Sequence, residues 1–326
     1  MRDGLRGPPG RTPLGNSLKR ARSDLTTSLQ PLKDLERRSV WILGSPRSGS
    51  TWFTGLLHAV QSDVVVINEP TVGLHLGMPV SALLSTDRQG DASLIRLSDF
   101  RAAVPSYFFS EAYAGSWRPA LRRMVLQRLK AEVDQKATRK RARPLVAIKE
   151  PDGSLGADLL MSALPEARLV FLLRDGRDVV DSEVDALGHD GWVRQIAPDF
   201  GLEERDRLQF IRRRAVAWVA RTEAVQRAYA RHPESRRVLV RYEELLLDTG
   251  SNLRRAFDLL GLDANESDVE QRVEATRFDR LPANQKGPGK FARSAEPGLW
   301  RENLDEEEQA VLETIMGPKL RELNYA

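Results

Sequence analysis

The sequence predicts an α/β fold: a single domain in which helices flank a central parallel β-sheet. Three observations lead there. Short apolar runs recur along the chain, and amphipathic segments of helical period separate them. No internal repeat and no interior linker divides the chain. The first apolar run ends at a glycine-containing loop that leads into a helical pattern, as in phosphate-loop nucleotide-binding folds.

Taken in order, residues 1–38 are rich in Gly, Pro, Ser and Arg and predict a disordered basic tail, with a short helix near Leu25–Leu35 as an option. The domain is expected over 39–326. Ser39–Gly44 reads as a buried strand. Thr51–Gln61 follows as a helix through Trp52, Phe53, Leu56, Leu57 and Val60. Val64–Asn68 is the second strand. Residues 71–116 show turns but no clear periodicity. Arg118–Arg143 carries 10 basic and 2 acidic residues, with Trp117, Leu121, Val125, Leu129 and Val133 recurring every fourth position, a helix with one buried face. Its charged side is either a solvated surface or a rim that attracts an anion. Leu145–Lys149 is the third strand, Ser154–Leu164 a helix, Leu169–Arg174 the fourth strand and Asp178–Leu187 a helix. Glu203–Arg231 is a long helix and Val238–Arg241 the fifth strand. Helices follow at Asn252–Leu260, Glu266–Thr276 and Asp305–Leu323, with a Gly/Pro/Lys loop over Leu281–Leu299.

Composition narrows the chemistry. Hydrophobic residues make up 41% and charged residues 29%, ordinary for a globular protein with a sizeable core. The absence of cysteine excludes disulfides, thiolate nucleophiles and zinc-thiolate sites. The net charge of +4 is uneven, because residues 1–38 hold 9 Lys/Arg against 4 Asp/Glu. The body is therefore near neutral, and no nucleic-acid partner is expected for it. No apolar run approaches the roughly 20 residues of a membrane span, and no export signal is visible, so a cytoplasmic location is expected.

Gly44-Ser-Pro-Arg-Ser-Gly-Ser-Thr51 lies between the first strand and the first helix, where backbone amides can wrap phosphate oxygens. The spacing is that of a P-loop, but Ser50 stands where a nucleoside-triphosphate P-loop carries lysine. The cation is Arg47, inside the loop. That suits a donor without a γ-phosphate, and no metal is required if arginine and amides hold the charge.

Pro46-Arg47-Ser48-Gly49-Ser50-Thr51 resembles the 5′-phosphosulfate loop of the sulfotransferases that use 3′-phosphoadenosine 5′-phosphosulfate (PAPS), nearest in motif to the bacterial and tyrosylprotein branch. The resemblance implies that Arg47 grips sulfate-side oxygens and that Ser48, Gly49, Ser50 and Thr51 serve the 5′-phosphate. Trp52 is either an adenine contact or a core aromatic. Arg174 at a strand end, with Ser182 eight residues on, resembles the family's 3′-phosphate signature. Arg177 and Asp178 read instead as an Arg–Asp surface network. Tyr242, in Arg-Tyr-Glu-Glu-Leu, resembles the family's adenine-side tyrosine. Gln285–Lys290 and Trp300–Leu304 resemble a worn version of its C-terminal segment, which would bring Lys286 or Lys290 to the 3′-phosphate.

Transfer of a sulfuryl group needs a base for the acceptor and cations for the charge on the sulfuryl oxygens. Glu69 follows the second strand, 22 residues after Arg47, where the same branch places a glutamate base. It is otherwise a turn residue before Pro70. His75, just beyond it, is the second candidate base. Lys149 ends the third strand in Lys-Glu-Pro, where the branch places a lysine at the moving sulfuryl group. Only 9 of 50 basic residues are lysine, which suggests that a compact ammonium is wanted there. A snorkelling structural lysine is the other reading. The expected function is sulfuryl transfer from PAPS to an acceptor hydroxyl on a small molecule, carbohydrate, lipid or protein tyrosine. A P-loop small-molecule kinase is the alternative enzyme, and an anion or nucleic-acid binding module the non-catalytic one. Acceptor identity and oligomeric state are not legible.

Overall fold

The computed structural model describes residues 30–60, 64–76, 104–136, 143–197, 202–203 and 206–325. The five expected strands form: β1 (Ser39–Leu43), β2 (Val64–Asn68), β3 (Leu145–Lys149), β4 (Arg168–Leu173) and β5 (Arg237–Arg241). They make one sheet of order β2-β3-β1-β4-β5, parallel throughout. The longer helices are α1 (30–37), α2 (Ser50–Leu56), α3 (72–76), α4 (Ala114–Lys136), α5 (Ala157–Ala163), α6 (Gly176–Leu187), α7 (Trp192–Ile196) and α8 (Arg207–Arg231). After β5 come α9 (Tyr242–Leu247), α10 (Thr249–Leu259), α11 (Glu266–Ala275), α12 (Trp300–Asn303) and α13 (Glu306–Glu322).

Strand alternation splits the interior into two layers, because successive side chains point to opposite faces. Trp41, Leu43, Val146, Ile148, Leu169 and Phe171 face the layer built by α4, α5, α6, α8 and α13. Val40, Ile42, Ala147, Val170 and Leu172 face α2, α10 and α11. Burial on both faces is why these strands read as continuous apolar runs. The five apolar positions of α4 are all buried as expected. Most of its described charges are paired, as in Arg118–Glu111, Arg122–Glu36, Lys130–Asp134 and Lys136–Glu132, which is how a solvated face behaves.

The expected tail boundary at residue 38 lies inside folded chain. α1 buries Leu32, Leu35 and Glu36, and Glu36 accepts from Arg122 and from the Glu166 amide at 2.9 Å. Its apolar positions are too few to show a period against the polar tail, and it is packing on the first core layer that fixes it. Residues 1–29 lie outside the described residues. So does the 77–103 part of the segment that resisted sequence reading.

Candidate active site

The carboxyl ends of the strands open into a cleft of about 890 Å³, the position where ligands bind in open α/β sheets. The phosphate loop forms one wall. Gly44 opens it, and a Cβ there would fall 2.0 Å from the Leu172 carbonyl, so only glycine lets β1 leave the sheet beside β4. Ser154, which the sequence reading passed over, pins this point: its buried hydroxyl accepts from the Gly44 amide and donates to the Gly44 carbonyl, both at 2.8 Å. Arg47 (φ 64) and Gly49 (φ 86) take left-handed backbone that curls the loop before α2. A Cβ on Gly49 would meet the Tyr242 ring at 2.7 Å, so that glycine lets the loop and Tyr242 close against each other.

Pro46, Arg47, Gly49, Ser50, Thr51, Trp52, Glu69, Lys149, Arg174, Ser182, Tyr242 and Lys290 all line this cleft. Ser48 is buried just behind the wall. Trp52 lines the cleft and also packs on the second core layer. Its ring meets Tyr242 edge-on at 5.9 Å. Lys286 is absent from the cleft lining; its ammonium donates to the Asp279 carbonyl at 2.9 Å and sits over the Phe278 ring. His75 is exposed, with Nδ1 2.7 Å from the Thr71 carbonyl, and it too is absent from the lining.

Two clusters stand out within the cleft. In the first, Arg174 Nη1 donates to the Arg47 carbonyl at 2.8 Å, and its guanidinium lies 4.5 Å over the Tyr242 ring. Arg47 Nε donates to Ser182 Oγ at 2.9 Å and Nη2 to the Phe291 carbonyl at 2.7 Å. Burial and the neighbouring Arg174 push the Arg47 guanidinium down to about 10, still cationic at neutral pH. Its head therefore faces Ser182, on the Arg174 side, whereas the resemblance implies a place beside the sulfate. In the second cluster, Lys149 Nζ lies 3.0 Å from Glu69 Oε1 and 3.2 Å from Thr51 Oγ1. Parallel register puts Asn68 beside Lys149, and the Glu69 amide donates to the Lys149 carbonyl at 2.7 Å. Adjacent strand ends thus bring a carboxylate and an ammonium that are far apart in sequence into contact.

Sequence reasoning missed several residues here. Trp192 and Phe291 meet edge-on at 5.3 Å and flank the Arg47 guanidinium at 5.9 and 5.2 Å. Arg293 lines the cleft and pairs with Asp181. The loop carrying both is tied to α6: Asp178 accepts from Gly298, and Asp185 from Gly289 at 3.1 Å. The spacing of Asp178, Asp181 and Asp185 along one helix face is the signal that was available. Arg177 pairs with Asp175 at 2.7 Å; this pair and Asp178 are buried, so the network expected at the surface lies inside the protein.

Fold and cleft define an α/β protein with a phosphate loop and a cationic cradle at the carboxyl edge of a parallel sheet. The model of the sulfotransferase family matches residues 39–266, and the chain belongs to that family. Among solved structures, the mouse sulfotransferase SULT7A1 complexed with PAP shares 12% identity at a TM-score of 0.50, over 87% of this chain and 84% of that one. The sulfotransferase STF9 from Mycobacterium avium shares 15% identity at a TM-score of 0.51, over 89% and 77%. At such identities these two speak for the fold. No curated protein sequence matches the chain. No described helix is long and apolar enough to cross a membrane.

Proposed function

We propose that this sulfotransferase takes its sulfuryl group from PAPS and passes it to a hydroxyl of its acceptor. The observation that carries the reading is the convergence, in one cleft, of the phosphate loop, the Arg174–Arg47–Ser182 cluster and the Lys149–Glu69 pair. The cleft fits a bisphosphorylated nucleotide. Arg47 and Arg174 bring two cations together, and Ser48 Oγ, Trp52 Nε1 and Arg174 Nε are buried without a hydrogen-bond partner among the described residues.

When bound, PAPS supplies an activated sulfuryl group on a phosphate leaving oxygen. Glu69 accepts the proton of the acceptor hydroxyl. Lys149 is placed to stabilise negative charge developing beside it. Thr51 orients the Lys149 ammonium. Arg174, Ser182 and Arg47 anchor the 3′-phosphate, with Arg47 acting as an anchor more than as a partner of the reacting oxygens. Tyr242 and Trp52 offer faces to the adenine. Lys290 remains a candidate rim cation for the nucleotide, and the placement of Lys286 counts against it.

Calorimetric titration with 3′-phosphoadenosine 5′-phosphate (PAP) in EDTA tests this reading. We expect binding without metal, weakened about 10- to 100-fold by Arg174→Ala through loss of charge-assisted hydrogen bonds. Absence of PAP binding, with Mg²⁺-dependent ATP binding in its place, would overturn the reading in favour of a kinase.

A further inference from the structure

Glu150 is 1% exposed and follows Lys149 directly. Its own amide donates to the Ile42 carbonyl at 3.1 Å, which ties it to the sheet. The side chain reaches into the turn that leaves Glu69. Oε2 accepts from the Thr71 amide and Oε1 from the Gly73 amide, each at 2.9 Å. That turn is unusual backbone. Glu69 (φ 48) and Thr71 (φ 57) both occupy the left-handed region on either side of Pro70, at a cost of about 1–2 kcal/mol each for non-glycine residues. Such backbone persists only where its surroundings over-determine it.

The surroundings do so here. A Cβ on Gly73 would fall 2.1 Å from the Gly153 carbonyl, and one on Gly156 would fall 2.3 Å from the Gly73 carbonyl. A Cβ on Gly153 would fall 2.1 Å from Glu150 Oε1. Three glycines therefore let the turn, the segment after β3 and the carboxylate close together. Burying a carboxylate beside Glu69 and Asp152 is unfavourable. What a carboxylate alone provides is two acceptor oxygens, one for each amide.

We propose that Glu150 is a positioning residue for the Lys149–Glu69 pair: its carboxylate clamps the turn after Glu69 and so sets where the Glu69 side chain stands against Lys149. The inference rests on the reading of that pair as the reacting groups. Glutamine keeps one acceptor oxygen and presents an NH₂ to the other amide, so Glu150→Gln releases one side of the clamp with little change in volume.

The test is the crystal structure of full-length Glu150→Gln beside the wild type, with PAP affinity by calorimetry and PAP release from PAPS, with and without a hydroxyl acceptor, for both. We expect the 69–73 turn to shift and the Glu69–Lys149 contact to open past about 3.5 Å. PAP affinity should stay within about twofold, while sulfuryl turnover drops at least about tenfold. An unmoved turn with the contact intact would overturn the proposal. If Glu150→Gln does not fold, Glu150→Asp serves: it keeps the charge but is too short to reach both amides, and the same contact decides. Failure of the wild type to bind PAP would instead refute the donor reading, and the Glu69–Lys149 distance would still judge the clamp.

Discussion

The two clusters in the cleft treat their polar groups in opposite ways. On the side proposed for the nucleotide, Ser48 Oγ, Trp52 Nε1 and Arg174 Nε are buried and lack partners among the described residues. On the side proposed for the reaction, Lys149 is already paired with Glu69 and bonded to Thr51, and Glu150 is satisfied by two amides. Buried polar groups left open are costly unless something fills them, so the first cluster has hydrogen-bonding capacity to offer the proposed nucleotide. The second is self-paired, and its contacts must be exchanged for contacts to the reacting groups. Changes in the first should therefore show in donor affinity, and changes in the second in rate.

The largest expected effect lies on the reacting side. Glu69→Gln removes the proposed proton acceptor and frees the Lys149 ammonium while keeping the shape of the side chain. Turnover from PAPS to the best acceptor in a hydroxyl panel should fall about 10²- to 10⁴-fold, with PAP affinity changed by less than about threefold. An equal loss in affinity would mean that the two clusters are one unit, and the contrast between them would fail.

A smaller effect sharpens the nucleotide side. Ser182→Ala deletes the hydroxyl that accepts from Arg47 Nε at 2.9 Å. PAP should bind about 5- to 12-fold more weakly, the worth of one hydrogen bond of about 1–1.5 kcal/mol. Adenosine 5′-phosphate, which lacks the 3′-phosphate, should bind the variant and the wild type alike. If it too weakens, Ser182 serves more of the nucleotide than its 3′-phosphate, and its assignment to that group fails.

The same contrast marks what the sequence could reveal. The strands were legible because burial on both faces makes them unbroken apolar runs, and the phosphate loop because its glycines and hydroxyls are consecutive. Lys149 and Glu69 were legible as strand-end residues, and parallel pairing then brings adjacent strand ends together. Phe291 was not legible as a partner of Arg47, since the two are 244 positions apart and the loop that returns Phe291 has no period. Arg293 was passed over for Lys286 because the family's motif is worn in this loop. Contacts to the Asp stripe of α6 set the loop's path, and these exist only in the folded chain. Glu150 read as the middle of a Lys-Glu-Pro motif, and its role appears only when the left-handed turn at Glu69 carries two amides back to it.

The smallest effect concerns stability, and it isolates Glu150 from its neighbours. Burial first, with Asp152 and Glu69 nearby, pushes its carboxyl up to about 7 against the opposing hydrogen bonds from Gly73 and Thr71. In the unfolded chain it titrates as an ordinary carboxyl. Between the ordinary range and about pH 7 the folded protein therefore holds the extra proton, so this group's contribution to stability declines as pH rises through that window and levels off above it. Buried Asp178 and Glu183 and half-buried Glu243 are also raised by desolvation and act in the same sense. His232 is lowered by burial and acts in the opposite one. The pH trend of the wild type alone mixes these groups. The difference in Tm between Glu150→Gln and the wild type cancels them, and it should move in favour of the variant as pH rises from about 5 to about 7.5. A difference independent of pH would show that Glu150 is already ionised at the acid end of that range. The clamp would then stay charged throughout, and any acid limb in the pH–rate profile would belong to another group.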